Sequence, residues 1–155
     1  MTVARVTEED LPALLSLVRA YCDFYEVSPS DDALLELSRA LIDDPHREGI
    51  QLLARDDRAR EVGFATVYWS WDTLLAARIG VMHDLFVAPQ ARGRGIGRHL
   101  IEACRRECRA RGAVKLAWQT ARDNVRAQRA YDAVGATREE WLDYWVWAGS
   151  ARAEE

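Results

Sequence analysis

The stretch from Val87 to Ile101, VAPQARGRGIGRHLI, constrains this chain more than any other, because an apolar strand end runs into a glycine-rich turn that opens an amphipathic helix. Gly93, Gly95 and Gly97 carry no Cβ, so the backbone can turn there with its N–H groups aimed at one spot. The following helix adds unpaired N-terminal N–H groups and the positive end of its dipole. Strand, turn and helix together form a cradle for an anion, best suited to a diphosphate. They place the chain in the α/β (α+β) class.

Two common nucleotide loops do not fit this segment. A P-loop needs Lys-Ser or Lys-Thr after its last glycine, whereas Gly97 is followed by Arg98 and His99. The dinucleotide fingerprint would put its third glycine at Arg98, and no earlier βαβ unit is evident. What remains, Arg92-Gly93-Arg94-Gly95-Ile96-Gly97, reads as (Arg/Gln)-x-x-Gly-x-(Gly/Ala) and resembles the acetyl-CoA pyrophosphate loop of the GNAT superfamily of N-acetyltransferases. Upstream, HDLFVAPQARGRGIG is similar to that family's fourth strand entering its loop. Downstream, NVRAQRAYDAVGA is similar to its Asn-x-x-Ala-x-x-x-Tyr-x-x-x-Gly helix. The resemblance is most specific from Met82 to Ala136 and only topological before that. Its closest motif match is the spermidine/spermine branch, whose Glu-Asp-Ile-Tyr-Val strand aligns a glutamate with His83 and an aspartate with Asp84.

The order of elements agrees. Val3 to Val6 reads as a strand, and Thr7 with Asp10 starts a helix whose apolar face is Leu11, Leu14, Leu15 and Val18. Ser30 caps a second helix with Leu34, Leu37, Leu41 and Ile42 facing inward, ended near Asp44-Pro45. Ile50 to Arg55, Val62 to Trp71 and Ala77 to Val87 read as an antiparallel meander. Then come the loop helix from Gly95 to Arg111, a strand from Val114 to Gln119 and a helix from Asn124 to Val134. Terminal strands near Ala136 to Arg138 and Leu142 to Trp147 close the chain. The expected fold is a GNAT domain over residues 1–155, a mixed, mostly antiparallel sheet of about seven strands flanked by about four helices.

Composition narrows the function. With 155 residues, 49% of them hydrophobic and 30% charged, the chain can bury a substantial core as one domain. It shows neither a signal-peptide pattern nor a long uncharged apolar run, which places it in the cytoplasm and off the membrane. Cys22, Cys104 and Cys108 include no Cys-x-x-Cys pair; a metal site is not expected, and Cys104 and Cys108 read as core thiols. Residues 92–129 carry a net +8 inside a chain of net −4, leaving −12 elsewhere. A local basic block suits a ligand with several phosphates, and an acidic remainder favours a cationic acceptor. Against nucleic acid stand the overall charge, a pI of about 5.5 and a single lysine. Arg105, Arg106, Arg109 and Arg111 read as the solvated face of the helix. Arg92, Arg94 and Arg98 are the candidates for phosphates.

Moving an acetyl group from a thioester to an amine through a tetrahedral intermediate requires a deprotonated amine, a stabilised oxyanion and a proton for the departing thiolate. The resemblance implies that acetyl-CoA is the co-substrate and that its pantetheine arm lies along Leu85, Phe86 and Val87, where a backbone N–H meets the acetyl oxygen. The diphosphate would sit on Arg92, Gly93, Arg94, Gly95, Ile96, Gly97 and Arg98, with Asn124 completing the cofactor contacts. Tyr131, seven residues after Asn124 and so on the same helix face, would protonate the sulfur. His83 and Asp84 are the candidates for the base. Strand alternation lets only one of them face the acceptor. The acceptor walls are expected from Tyr21, Asp23, Phe24, Tyr25 and Glu26, from Tyr68, Trp69, Trp71 and Asp72, and from Trp118. Trp141, Tyr144, Trp145 and Trp147 fit a homodimer contact. The leading reading is an acetyl-CoA-dependent N-acetyltransferase acting on a primary amine, either a small cation or a lysine-like side chain. The alternative is a non-catalytic CoA sensor or a nucleic-acid-binding module on the same fold.

Overall fold

Five segments whose large residues alternate between two faces build the sheet. In the computed structural model, which describes residues 1–149, these are Thr2–Arg5 (β1), Gly49–Arg55 (β2), Glu61–Asp72 (β3), Ala77–Val87 (β4) and Lys115–Ala117 (β5). They lie in the order β1-β2-β3-β4-β5; the first three pairings are antiparallel and β4 pairs β5 in parallel. A parallel pair needs a crossover, and Ile96–Ala110 (α3) supplies it. Leu11–Phe24 (α1) and Asp31–Asp43 (α2) precede the meander, and Val125–Ala133 (α4) follows β5.

Helices cover both faces of the sheet, and neighbouring residues show it. A Cβ on Gly63 would lie 3.4 Å from Leu100 of α3, whereas the Phe64 ring sits 5.7 Å from Tyr21 of α1. Strand alternation therefore sends odd and even residues of β3 into two apolar layers. Leu11, Leu14 and Leu17 fill one, and Leu100, Ile101 and Cys104 the other. Leu17 replaces the expected Leu15 on the buried stripe. Burial pushes the Cys104 thiol up to about 12 and the Cys108 thiol up to about 11, which makes both packing groups.

The helix starts follow the sequence closely. A 3₁₀ turn at Glu8–Asp10 leads into α1, and the Thr7 N–H donates to Asp10 Oδ2 at 2.9 Å. Ser30 Oγ accepts from the Ala33 N–H at 3.2 Å at the start of α2, a cap worth about 1 kcal/mol.

The end of the chain departs from expectation. No strand forms among the described residues after β5, so the sheet has five strands and not about seven. Residues 136–147 are rich in aromatic and β-branched types, but that preference reflects fit to a pleated, half-buried surface. Here the neighbouring edge, β5, is three residues long. The segment is held by side chains instead, Gln119 Nε2 donating to Asp143 Oδ1 at 2.5 Å and Arg122 facing Glu140 at 3.8 Å. Trp141, Leu142, Tyr144 and Trp145 remain exposed.

Candidate active site

One irregularity on β4 organises the site. Thr66 of β3 pairs Asp84, but the next residue, Val67, pairs Met82, so His83 is an extra residue in the ladder. Such a bulge breaks the two-residue period. His83 and Asp84 consequently face the same side and line one cavity of about 190 Å³ between the sheet and helices α1 and α2. The expectation that alternation would admit only one of them is corrected, and the bulge is the reason.

Asp84 is half-buried among aromatic residues. Burial, then the Asp84 charge, then Tyr25, push the Tyr21 phenol far above its ordinary range. Burial followed by Asp84 pushes Tyr68 up to about 12. Both phenols therefore stay neutral beside the carboxylate. The His83 ring is exposed and meets the Tyr68 ring at 5.0 Å between centroids. Leu34 and Leu37 of α2, expected in the core, form the apolar lip of the cavity instead, while Ser38, next after Leu37, is buried.

Beyond the bulge, β4 has a free edge. Its ladder with β5 covers only Ile79–Val81, so the strands part before Leu85, Phe86 and Val87. That leaves an extended backbone edge on which a ligand arm can pair as an added strand. The loop at its end is open: Gly93 and Gly95 have φ of +80° and +77°, and a Cβ on either would meet nothing within 4 Å. These two need glycine because L side chains rarely adopt that conformation. Gly97 does not, since its φ is ordinary and a Cβ there would only touch Val87 at 3.9 Å.

The first N–H groups of α3, those of Ile96, Gly97 and Arg98, have no carbonyl four residues back within the helix. Ile96 itself is buried, so it can offer only its backbone. Arg94 and Arg98 are exposed, with no carboxylate partner among the described residues. Arg92 differs: its Nε donates to the Val87 carbonyl at 2.8 Å and its guanidinium lies 5.9 Å from the Phe86 ring centre, which ties the loop to β4. The cradle of free N–H groups, two left-handed glycines and two unpaired cations fits a diphosphate.

Helix α4 follows β5 and packs against α3. Asn124 caps α4, Oδ1 accepting from the Ala127 N–H at 3.3 Å. Tyr131 packs edge-on against Trp118, with centroids 5.3 Å apart. Burial, then Tyr25, raises its phenol above the ordinary value, keeping it protonated at neutral pH.

Other expected acceptor walls lie elsewhere. Trp69 is a core residue whose Nε1 donates to the Pro45 carbonyl at 2.9 Å. Trp71 and Phe24 are exposed, whereas Tyr25, also exposed, stays beside the site with its ring 5.0 Å from that of Tyr21. A second cavity, about 290 Å³, lies by Trp69, Arg78 and Arg111, where β4 begins and α3 ends, and of the expected site residues it contains only Trp69. Sequence reasoning missed Gln51 and Ser38, both buried in the wall of the smaller cavity. Ser38 was detectable as a polar break in the leucine stripe of α2; Gln51, in an apolar strand, stood out only as a lone amide. Among the described residues, no group of three or more His, Cys, Asp or Glu could hold a metal ion, and no helix is long and apolar enough to cross a membrane.

The sequence pattern described as Acetyltransferase (GNAT) family matches residues 14–136. An uncharacterized N-acetyltransferase of Bacillus subtilis (strain 168), YhfO, is 27% identical over 135 residues, covering 87% of this chain and 89% of that one. An aminoglycoside N(6')-acetyltransferase type 1 of Stenotrophomonas maltophilia is 32% identical over 118 residues, covering 74% of this chain and 75% of its own. The crystal structure of a probable acetyltransferase superposes with a TM-score of 0.83 at 25% identity, covering 98% of this chain and all of that one. The chain belongs to the GNAT acetyltransferase family and is an acetyl-CoA-dependent N-acetyltransferase with the mixed α/β fold of that family. These matches carry the family and not its spermidine/spermine branch.

Proposed function

We propose that this enzyme transfers acetyl directly from acetyl-CoA to the primary amine of a small cationic molecule, through a tetrahedral intermediate. The observation that carries the reading is the bulge that turns His83 and Asp84 into one cavity beside the free edge of β4. The amine enters from the α1 and α2 side, and Asp84, beside two neutral phenols, attracts it as an ammonium. His83, exposed at the mouth of the cavity, takes the proton through water. A backbone N–H of the Leu85–Val87 edge stabilises the oxyanion, and Tyr131 gives the departing sulfur its proton.

On the cofactor side, the N–H groups of the Gly93 to Arg98 turn, with the side chains of Arg94 and Arg98, hold the diphosphate. Arg92 fixes the turn, and Asn124 fixes the start of the helix that carries Tyr131. Acetyl-CoA supplies the activated acyl group.

The relative from Stenotrophomonas maltophilia bears the name of an aminoglycoside-acetylating enzyme, and the β4 motif resembles enzymes of spermidine and spermine. Both point to a cationic amine, as does the net −12 outside the basic block. The test is release of free thiol from acetyl-CoA over a panel of short alkylamines, polyamines, amino sugars and lysine peptides. Release with the small cations and not with peptides is expected. No release with any amine would favour a CoA sensor and overturn the reading.

The whole chain is taken as one catalytic domain that works in the cytoplasm, in keeping with three free thiols. We also assign the exposed aromatic run from Trp141 to Val146 to a homodimer contact, because exposed clusters of this kind mark association surfaces. Light scattering of the full chain and of a Trp141→Ser, Trp145→Ser double variant tests it. A monomeric parent would overturn it.

A further inference from the structure

The acceptor cavity has a second polar station, two strands away from Asp84. Gln51 of β2 pairs Thr66 of β3, which in turn pairs Asp84 of β4, so the three side chains form a row across the sheet on one face. Gln51 is 6% exposed, and its Nε2 donates to Thr66 Oγ1 at 3.3 Å. Its Oε1 is buried with no partner, the one such atom among the described residues. Ser38 of α2, 3% exposed, lines the same cavity and makes no hydrogen bond through its hydroxyl among the described residues. A buried carbonyl like that of Gln51 is costly unless a ligand or water pairs it.

We propose that Gln51 and Ser38 are specificity residues that read a hydroxyl at the far end of the acceptor, making the substrate class a short amino alcohol. This rests on the amine-acetylating reading above. Two strand steps of about 4.8 Å put roughly 10 Å between the backbones of Gln51 and Asp84, with both side chains rising into the cavity. The cavity, about 190 Å³, holds roughly six waters at about 30 Å³ each. That suits a chain of a few carbons, or one edge of an amino sugar.

The second station is neutral, since Gln51, Ser38 and Thr66 carry no charge. A second ammonium there would be buried without a counter-charge. A hydroxyl has no such cost. It can donate to the Gln51 carbonyl, and were the amide turned over, it could equally accept from the NH₂; an ammonium can only donate.

The experiment compares butylamine, terminal aminobutanol and terminal diaminobutane. Thiol release gives kcat/KM, and thermal stabilisation of the CoA-loaded protein gives binding without turnover. The parent should prefer aminobutanol to butylamine by about tenfold, the scale of one neutral hydrogen bond. Gln51→Leu, near in size and apolar, should erase that ratio, and Ser38→Ala should reduce it. Gln51→Glu should move the preference to diaminobutane. Thiol release with all three amines at equal efficiency would overturn the second station and leave amine acetylation standing. So would a Gln51→Leu variant that keeps the ratio. Stabilisation by aminobutanol without any thiol release would instead uphold the station and overturn catalysis.

Discussion

At the C-terminal end of β4 the site is made of backbone: two left-handed glycines, the free edge of Leu85 to Val87 and the first N–H groups of α3. On the α1 side of the same strand it is made of side chains from separate segments, Tyr21, Ser38, Gln51, Tyr68, His83 and Asp84. A backbone cradle is continuous in sequence and recognises what every acetyl-CoA has in common. A side-chain cavity is assembled only by folding and can change its guest by single substitutions. In the proposed reading the cofactor half is thus shared across a family, and the acceptor half belongs to the individual enzyme.

The sharpest way to break this division is chemical. Tyr131→Phe removes one hydroxyl while keeping the ring against Trp118, so acetyl-CoA affinity should hold while single-turnover transfer falls by about 10²- to 10⁴-fold. An unchanged rate would remove Tyr131 from the chemistry. Lost affinity would make it a binding group, and the line between the halves would blur. On the acceptor side, His83→Ala should lower kcat by a comparable factor and shift the acidic limb of the pH–rate profile. Asp84→Asn should mainly raise KM for the amine. Reversed effects would make Asp84 the base.

Next in size is the cradle. Gly95→Val puts a β-branched side chain at φ +77°, into the space where a phosphate would sit. Affinity for CoA measured by calorimetry should fall roughly 10- to 100-fold, the scale of one charge-assisted hydrogen bond. The left-handed conformation should add about 1–2 kcal/mol of strain, visible as a lower Tm. Gly97→Ala is the control, because its backbone is ordinary and its Cβ has room. If both variants lost equal affinity, the turn would act through helix entry and not through its left-handed glycines.

The same division explains what the sequence made legible. The glycine turn, the capping residue Ser30, and the helix carrying Asn124 and Tyr131 depend on neighbours within a few positions, and their spacing displayed them. The bulge at His83 is a mismatch between two strands, and nothing within β4 alone announces it. Gln51 acquires meaning only from Thr66 and Ser38, which lie fifteen and thirteen residues away. Trp69 and Trp71 looked like acceptor walls by type, yet the strand direction carries them past the cavity, one into the core and one to solvent. The terminal strands failed for a related reason: aromatic composition states a preference, but a ladder needs an edge.

The smallest expected effect tests whether the acceptor half depends on how α1 is anchored. Asp10 accepts from the Thr7 N–H at the start of α1 and pairs with Arg55, which also faces Glu61 at 3.2 Å, so the helix bearing Tyr21 is tied to β2 and β3. Burial pushes the Asp10 carboxyl up, but the hydrogen bonds from Thr7 and Arg55 outweigh it and hold the group below its ordinary value of 3.8. A carboxyl lowered on folding stabilises the native state at pH above its unfolded value, and that contribution disappears as pH falls through the folded one. Asp10→Asn keeps the size and loses the charge, so it should cost about 1 kcal/mol near neutral pH, or roughly 2–4 °C in Tm. The gap between parent and variant should stay constant down to about pH 4 and close below it. Amine KM should rise with the loss of Tm while CoA affinity does not, because α1 carries Tyr21 and no part of the glycine cradle. Equal losses in both affinities would mean that the two halves are held by one scaffold and cannot be tuned apart.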